Sequence, residues 1–239
     1  MKKNILITGV NGQVGTKLYE FLNEISGFNL VASDLGDNQF DFPIYEVLDV
    51  TNRNDVKAVV KKYAIDEIYH LACPASPPFY QQDPIKTLDT NYLGTKNVLE
   101  LARIKNCKVL LTSTSEVYGD PNISPQDEDY WGNVNPIGVR SCYDEGKRIA
   151  ETLMIEYERK YNIEIKIARI FNTYGPLMNK DDGRVVSNFI NQMLYDKDIT
   201  VYGKGSQTRS FSYVDDTLEG LIKLMNTDGV RGPINIGNN

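Results

Sequence analysis

The sequence has few residues that bind metals or form disulfides. It contains three cysteines, Cys73, Cys107 and Cys142, and one histidine, His70. The cysteines are odd in number and widely spaced, so they fit neither a disulfide framework nor a zinc site. We therefore expect free thiols, no metal and a cytoplasmic location.

Long hydrophobic runs and an excess of positive charge are also missing. No apolar stretch approaches the ~20 residues that span a bilayer. The N-terminal run Ile5–Ile7 is short and leads into a glycine-rich turn, so it is typical of a first strand and not of a signal peptide. The net charge of −6 disfavours a nucleic-acid partner. Hydrophobic residues nevertheless make up 41% of the chain, which is enough for a sizeable core.

Strand and helix patterns alternate over the first two-thirds of the chain. The predicted strands are short runs rich in β-branched or apolar residues, as buried parallel strands require. They are Asn4–Thr8, Asn29–Ser33, Ile44–Leu48, Glu67–Leu71, Lys108–Thr112 and Ile165–Ile170. The helical patterns run from Val14 to just before Gly27 and over Asp55–Tyr63, Pro84–Lys105 and Ser141–Tyr161. This alternation predicts an α/β fold with a Rossmann-type doubly wound parallel sheet.

The regularity fades after Asn172. The segment that follows, up to Ser212, is rich in Gly, Asn and Asp and contains turn signals, and a last helix is predicted at Asp215–Met225. We therefore predict a Rossmann domain over residues 1–172. Residues 173–239 are predicted to form a small C-terminal substrate lobe, partly interleaved with the first domain.

Three glycines follow the first predicted strand and open the first predicted helix. Gly9, Gly12 and Gly15 have the spacing G-x-x-G-x-x-G. Glycine permits a tight turn here and lets backbone N–H groups approach a pyrophosphate at the helix N-terminus. The triplet alone is weak evidence, but its place between strand and helix indicates a dinucleotide site. We assign this loop, with Gln13 and Val14, to cofactor binding.

Asp34 lies at the end of the second predicted strand. A carboxylate there can accept hydrogen bonds from an adenosine ribose and would repel a 2′-phosphate, so it favours NAD over NADP. The alternative is a solvated turn residue. Further cofactor contacts are expected where the third and fourth strands end. They are Asp49, Val50, Leu71 and Ala72. His70, which precedes an apolar segment, is interpreted as structural.

Tyr143 and Lys147 form a Y-x-x-x-K pair on the helix after the fifth strand. Positions four apart share a helix face, so the phenol and the ammonium point into one space. The lysine charge, aided by an oxidised nicotinamide, can lower the pKa of the tyrosine far enough for a general base. Both residues are also expected to contact the cofactor. Such a pair is common on helix surfaces, so the assignment depends on its combination with the glycine triplet and Asp34.

Thr114, Ser115 and Glu116 follow the fifth predicted strand. The carboxyl ends of strands carry the ligand crevice in open parallel sheets, so Ser115 and Glu116 are placed to reach a substrate. The alternative is a helix-capping or turn cluster.

Several longer segments carry a recognisable pattern. They are Ala72–Pro77, Thr90–Thr95, Thr114–Pro121, Tyr130–Arg148, Ala168–Pro176, Asp182–Phe189 and Val201–Phe211. In them the chain resembles the UDP-glucuronate decarboxylases (UDP-xylose synthases) of the extended short-chain dehydrogenase/reductase family. The resemblance is close from about His70 to Met225, and the run around Tyr143 is specific to these decarboxylases. Over residues 16–69 it is that of the wider superfamily.

The resemblance implies roles for the matching residues. Tyr143 is the base with Lys147 in support, Thr114, Ser115 and Glu116 line the sugar, and Tyr80 lies near the sugar carboxylate. The implied nucleotide-diphosphate residues are Asn172, Arg184, Phe189, Tyr202, Gln207 and Arg209. Arg209 would supply the local positive charge that a diphosphate needs in an acidic protein.

The resemblance also implies an assembly and a further segment. Family members commonly pair the helices that match Pro84–Lys105 and Ser141–Tyr161, so we expect a homodimer. The apolar residues that we assign to the contact are Leu88, Leu93, Val98, Leu101, Ile149, Leu153 and Met154. The alternative is that these residues pack only on the sheet. Their C-terminal portion carries an arginine thought to face the sugar carboxylate, and the sequence offers no match for this arginine before Asn239.

Ser115 separates the expected reaction from that of the related 4,6-dehydratases. Those enzymes have an Asp-Glu pair here, because elimination of water needs both a proton donor and a base, whereas this chain has Ser115-Glu116. A C4 ketone turns the C6 carboxylate into a β-keto acid, which loses carbon dioxide without such a pair. We therefore expect NAD-dependent decarboxylation of UDP-glucuronate to UDP-xylose with internal recycling of NADH. The alternatives are a 4-epimerase, a 4,6-dehydratase, a decarboxylase that releases the 4-keto pentose, and a non-catalytic NAD- or nucleotide-sugar-binding protein.

Overall fold

Strands and helices alternate along the chain in the computed structural model, which describes residues 2–25 and 27–238. The elements are β1 (Lys3–Thr8), α1 (Gln13–Ile25), β2 (Phe28–Asp34), β3 (Tyr45–Val47), α2 (Arg53–Tyr63), β4 (Glu67–His70), α3 (Pro77–Gln82), α4 (Pro84–Asp89), α5 (Thr95–Lys105), β5 (Lys108–Thr114), α6 (Ser141–Tyr161), β6 (Ile165–Ile170), β7 (Asn172–Tyr174), α7 (Val185–Leu194), β8 (Phe211–Tyr213), α8 (Val214–Asn226) and β9 (Ile234–Ile236). A π-helical turn, Thr90–Gly94, joins α4 to α5. A 3₁₀ turn, Ser115–Tyr118, follows β5.

Seven strands form one parallel sheet in the order β3-β2-β1-β4-β5-β6-β9. The strand order reverses between β1 and β4, so a crevice opens there at the carboxyl ends of the strands. This topology confirms the predicted Rossmann-type α/β fold. The short strands β7 and β8 form a separate two-stranded sheet.

Two hydrophobic cores lie on opposite faces of the sheet. Side chains alternate between the faces along each strand. On β1, Leu6 therefore packs in the core that contains Leu99 of α5 and Met154 of α6. Its neighbour Ile7 packs in the other core, with Leu221 of α8. Full burial of each such side chain contributes ~1.5–3 kcal/mol, so the two helical layers hold the carboxyl edge of the sheet in place.

The predicted elements agree with the structure except in their limits and in the shortest segments. β5 runs to Thr114, two residues beyond the predicted end, and β3 is shorter than predicted. The predicted helix at Pro84–Lys105 is present as α4, the π-helical turn and α5. The predictions lacked α3, α7, β7, β8 and β9. Strands of three residues are too short to show a periodic pattern.

The range 173–239 contributes to the sheet as well as to the candidate site. α8 packs against α1 and β6, and β9 pairs with β6 at the edge of the main sheet. The division at residue 172 therefore stays a prediction. No helix in the described ranges is both long and apolar enough to cross a membrane.

Candidate active site

The glycine loop joins β1 to α1 beside the reversal in strand order. Gly9 has a φ of +75°, and a Cβ on it would lie 2.8 Å from the backbone N of Ala72. A Cβ on Gly15 would overlap the Gly9 carbonyl oxygen and lie 2.8 Å from the Cα of Val10. Side chains are thus excluded where the loop meets the end of β4 and the start of α1. The first-turn N–H groups of α1, which have no partner inside the helix, are left for an anionic group.

Asp34 lies beside this loop with both carboxylate oxygens held by the backbone. One accepts a hydrogen bond from the N–H of Asn11 at 3.0 Å, and the other accepts from the N–H of Leu35 at 2.7 Å. The side-chain oxygen of Asn11 is buried and has no hydrogen-bond partner within residues 2–25 and 27–238. Buried acceptors are normally paired, so this one fits a site that takes a polar ligand. The loop and Asp34 therefore suit a dinucleotide.

The other predicted cofactor residues make contacts within the protein. The amide of Gln13 donates to the carbonyls of Gly175 and Pro176 at 2.9 and 3.1 Å, which ties the start of α1 to the loop after β7. The Asp49 carboxylate accepts from the N–H and the hydroxyl of Thr51 at 2.9 and 2.7 Å. Three more predicted residues, Val14, Val50 and Leu71, are buried or half-buried near these elements, whereas Gly12 is exposed.

Tyr143 lies in the first turn of α6 and is 7% exposed. Its ring stacks on that of Tyr80, with centroids 5.0 Å apart and planes 10° apart. One turn further along α6, the ammonium of Lys147 donates to the carbonyl of Thr112 at 2.9 Å and lies 5.9 Å from the centroid of the Tyr143 ring. The structure thus brings the phenol, the ammonium and the end of β5 into one buried space.

Burial raises the pKa of the Tyr143 phenol well above its usual range. The nearby Cys73 and Glu116 raise it as well, whereas a polar contact with Thr114 and the charge of Arg184 lower it. We expected the lysine charge to lower this pKa, but in the chain alone burial has the larger effect. The phenol is therefore neutral at pH 7 until further positive charge enters the site.

A polar cluster adjoins the stacked tyrosines. Glu116, on the 3₁₀ turn, forms an ion pair with Arg140. The Tyr80 hydroxyl and one carboxylate oxygen of Asp144 are buried and lack a hydrogen-bond partner in the described part of the chain. Burial raises the pKa of Asp144 to about 6, and the Arg140 charge opposes that shift. Burial also raises the pKa of Tyr80, and the charge of Arg140 opposes that shift. Unpaired polar atoms next to a cation suit an anionic, hydroxyl-rich ligand.

The predicted nucleotide-diphosphate residues fall into two groups. Arg184 begins α7, pairs with Asp182 at 2.8 Å, and lies near enough to Tyr143 to lower the pKa of the phenol. The amide of Asn172, at the start of β7, donates to the carbonyl of Ser210 at 3.0 Å. Phe189 is half-buried on α7. Of this first group, Arg184 lies near the buried space.

The second group lies on the loop between α7 and β8. Tyr202, Gln207 and Arg209 are exposed there. The amide of Gln207 donates to the carbonyl of Tyr202 at 3.3 Å, and the guanidinium of Arg209 donates to the carbonyl of Thr208 at 2.7 Å. These contacts stay within the loop, so the structure does not join this group to the tyrosine pair.

Arg140 and Asp144 were not among the predicted site residues. Both lie within three positions of Tyr143, so their nearness along the chain was the available signal. The ion pair between Arg140 and Glu116, 24 residues apart, required the tertiary structure. Ser115 is half-buried beside Glu116. By contrast, a groove of about 430 Å³ between α8 and β9 contains none of the predicted site residues.

His70 is a buried structural residue. Its Nδ1 shares a hydrogen bond with the Thr8 hydroxyl at 2.9 Å, and its Nε2 lies 3.3 Å from the Thr95 hydroxyl. Burial and the charge of Lys147 lower the pKa of His70 to about 3, so the ring stays neutral at physiological pH. It therefore braces β1, β4 and α5 against one another.

The glycine loop and the acid lie at the reversal in strand order, and the Tyr–Lys pair follows β5. This arrangement is typical of proteins of the short-chain dehydrogenase/reductase type. The chain belongs to the NAD dependent epimerase/dehydratase family, whose sequence profile matches residues 5–237. UDP-glucuronic acid decarboxylase 5 of Arabidopsis thaliana is 55% identical over 245 residues, which cover 98% of this chain and 69% of that relative. The resemblance to the decarboxylases is thus confirmed.

Solved structures of other family members share the fold. The UDP-glucuronic acid 4-epimerase of Bacillus cereus, in complex with UDP-glucuronic acid and NAD, has a TM-score of 0.85 and 28% identity, over 99% of this chain and 78% of that one. The UDP-glucose 4-epimerase of Thermotoga maritima has a TM-score of 0.88 at 24% identity, over 98% and 76% of the two chains.

Proposed function

We propose that this chain is an NAD-dependent decarboxylase that converts UDP-glucuronate to UDP-xylose. The observation that carries the proposal is the buried Tyr143–Lys147 pair at the end of β5, next to a turn that presents Ser115 and Glu116. The Arabidopsis relative supports the proposal, because it is a UDP-glucuronic acid decarboxylase by name and is identical to this chain at 55% of the aligned residues.

The glycine loop and Asp34 would hold NAD. The N–H groups of the first turn of α1 would bind the pyrophosphate, because Gly9 and Gly15 leave the backbone uncovered. The Asp34 carboxylate would accept from the adenosine ribose. When bound, NAD⁺ would supply a positive ring charge and the capacity to accept and give back a hydride at the sugar C4.

Tyr143 would act on the 4-hydroxyl of the sugar. Its phenolate oxygen takes the hydroxyl proton as C4 becomes a ketone, and it returns that proton when the ketone is reduced. Lys147, fixed on the Thr112 carbonyl, keeps a positive charge 5.9 Å from the phenol ring throughout. Thr114 and Ser115 would position the sugar beside the phenol.

Decarboxylation follows from the ketone. The C5–C6 bond breaks, carbon dioxide leaves, and the bonding electrons move into the C4 carbonyl to give an enolate. C5 then takes a proton. Glu116 and Arg140, joined as an ion pair next to the tyrosines, would orient the sugar and its carboxylate during this step, with Tyr80 nearby. The chain has Ser115 where a dehydratase would need an acid, so water elimination is disfavoured.

The proposed nucleotide contacts are Asn172 on β7, Arg184 and Phe189 at α7, and Tyr202, Gln207 and Arg209 on the exposed loop. A guanidinium can bind two phosphate oxygens at once, so Arg184 and Arg209 are suited to the diphosphate. A cytoplasmic location and the absence of nucleic-acid and membrane partners stay predictions.

The direct test is incubation of the purified protein with NAD⁺ and UDP-glucuronate labelled at the carboxyl carbon. We expect labelled carbon dioxide and UDP-xylose, identified by NMR. Carbon dioxide with a 4-keto pentose would mean that the final reduction fails. A product with inverted C4 and no carbon dioxide would establish a 4-epimerase instead. No turnover with retained NAD binding would favour a non-catalytic binding protein.

The cofactor assignment predicts a changed preference in the Asp34→Ala variant. Hydrogen bonds to a charged group contribute ~1.5–3 kcal/mol, so we expect NAD to bind about tenfold to a hundredfold more weakly. NADP affinity should fall less or rise, because the repulsion of the 2′-phosphate is removed. Asp37→Ala, an exposed acid in the same loop, is the matched control. An unchanged ratio of NAD to NADP affinity in calorimetry would overturn the assignment.

We also propose a homodimer, in which α4–α5 and α6 of one chain contact the same helices of a second copy. Ile85, Leu88, Leu93 and Ile149 are exposed apolar side chains on these helices. Other apolar residues that we assigned to this face pack in the protein core. They are Val98, Leu101 and Met154. We expect light scattering at micromolar concentration to give a dimer mass, and Ile149→Glu to lower it. Ile25→Glu, an equally exposed position on α1, should leave the mass unchanged, and a monomeric wild-type chain would refute the dimer.

A further inference from the structure

Glu151 lies on the face of α6 that carries the Tyr–Lys pair. Tyr143, Lys147 and Glu151 are spaced four apart, so they follow one another along that face. The Ser113 hydroxyl donates to one oxygen of Glu151 at 2.5 Å. Arg169 donates through Nε at 3.0 Å and through Nη2 at 2.8 Å, one bond to each oxygen. Both oxygens of the carboxylate are therefore held by the sheet.

The two groups that hold Glu151 are neighbours in the sheet. Ser113 on β5 pairs with Arg169 on β6, so both side chains project from the same face toward α6. The side chains of Glu151 and Arg169 are only 12% and 11% exposed. Separation of a buried pair leaves charges without partners, so the contact resists displacement of α6.

Three successive residues of β5 meet the same face of α6. The carbonyl of Thr112 accepts from Lys147, Ser113 donates to the glutamate, and Thr114 is the polar neighbour of Tyr143. The position of the phenol relative to Thr114 therefore depends on how α6 is aligned along β5. The glutamate sets that alignment from about two helical turns away.

Arg169 also reaches the turn that carries Glu116. Its Nη1 donates to the Tyr118 hydroxyl at 2.8 Å and to the Glu128 carbonyl at 3.1 Å. The Tyr118 hydroxyl in turn donates to the side-chain oxygen of Asn235 on β9 at 2.8 Å. Tyr118 is the last residue of the 3₁₀ turn, so one guanidinium links α6 with that turn and with the edge of the sheet.

We propose that Glu151 and Arg169 are positioning residues, which hold Tyr143 and the turn bearing Glu116 in one fixed arrangement. Neither residue would touch the substrate or the cofactor. The proposal rests on the proposed function, since it assigns a purpose to the alignment of groups that this function uses.

The test compares Glu151→Gln with Glu158→Gln in the full chain with NAD⁺ and UDP-glucuronate. Glu158 also pairs with an arginine, Arg231 at 2.7 Å, but near the far end of α6. Small misplacements of reacting groups can lower rates by ~10²-fold. We expect Glu151→Gln to reduce kcat about tenfold to a hundredfold with little change in KM. Glu158→Gln should retain the wild-type kcat.

The pH profile separates positioning from simple loss of folded protein. The groups that face the Tyr143 phenol are Cys73, Thr114, Glu116, Arg184, Lys147 and Tyr80. Displacement of the phenol from Thr114 removes a contact that lowers its pKa, so the effect of burial is less opposed and the pKa rises. The base must lose its proton, and we therefore expect the rise of kcat with pH to shift to higher pH in Glu151→Gln. A lower kcat with an unchanged profile would overturn the proposal.

A second readout does not require activity. Because the Tyr143 ring stacks on Tyr80, its NMR signal in protein with ¹³C-labelled tyrosine carries a ring-current shift. Tyr143→Phe identifies that signal. We expect Glu151→Gln to move it and Glu158→Gln to leave it in place, even if the wild-type chain releases no carbon dioxide. An unmoved signal would overturn the proposal. If Glu151→Gln fails to fold, Ser113→Ala, which spares the ion pair, should move the signal instead, and no shift in that variant would overturn the proposal.

Discussion

Replacement of Tyr143 by phenylalanine is expected to lower carbon dioxide release from UDP-glucuronate by ~10²–10⁴-fold, the usual loss when a general base is removed. The variant keeps the ring that stacks on Tyr80 and removes the hydroxyl that would take the 4-hydroxyl proton. NAD binding should be retained, because the glycine loop and Asp34 are untouched. Initial rates, measured alongside NAD titrations, check both expectations.

Loss of stability would not account for such a change in rate. The Tyr143 hydroxyl contributes one polar contact, with Thr114, and a hydrogen bond typically contributes ~1 kcal/mol. Tyr161→Phe removes a hydroxyl from the exposed end of the same helix and should retain full activity. Wild-type carbon dioxide release by Tyr143→Phe would instead show that Tyr143 and Lys147 are an ordinary helix pair, and the proposed mechanism would be wrong.

The second large effect is expected from Gly15→Ala. The added methyl would lie 2.8 Å from the Cα of Val10 and overlap the Gly9 carbonyl oxygen. Both are backbone atoms and cannot turn aside, so α1 must move away from the loop. Overpacking of this kind typically destabilises by ~1–3 kcal/mol. Displacement of two N–H groups from the pyrophosphate, at ~1.5–3 kcal/mol each, should weaken NAD binding about a hundredfold or more.

Gly36→Ala is the matched control for this variant. A Cβ on Gly36 meets no atom within 4 Å, although the residue also lies in a loop after a strand of the same half of the sheet. We expect wild-type thermal unfolding and NAD affinity from this control, and a lower unfolding temperature with weak binding from Gly15→Ala. If Gly15→Ala bound NAD as tightly as the wild-type chain, the placement of the pyrophosphate on this loop would be contradicted.

The structure also explains why some apolar patterns were misread. Val98 and Met154 were assigned to the dimer contact, yet both side chains are buried in the core between the helices and the sheet. A helix packed on a sheet and in contact with a partner is apolar on two sides, so composition cannot say which residue serves which side. The exposed Leu88, Leu93 and Ile149 are the members of the set that stay available for a contact with a partner.

Local patterns in the sequence were sufficient to predict the Rossmann-type sheet. They were also sufficient to place the glycine loop and Asp34 in its first half and the Tyr143–Lys147 pair on the helix after β5. Each depends on contacts between near neighbours, such as the strand period of two, the helix period near four, and a turn that needs residues without a Cβ. The limits of β3 and the existence of β9 were beyond this reasoning, because three residues show no period.

Tertiary structure alone placed Tyr80 on Tyr143, paired Glu116 with Arg140, and joined Glu151 to Ser113 and Arg169. These contacts connect residues from 18 to 63 positions apart, so no local period records them. It also decided the pKa of Tyr143 in the chain alone, whereas the expected lowering of this pKa depended on Lys147 together with an oxidised nicotinamide. Burial is a property of the packed chain as a whole, and here its effect on the phenol exceeds that of the neighbouring positive charge.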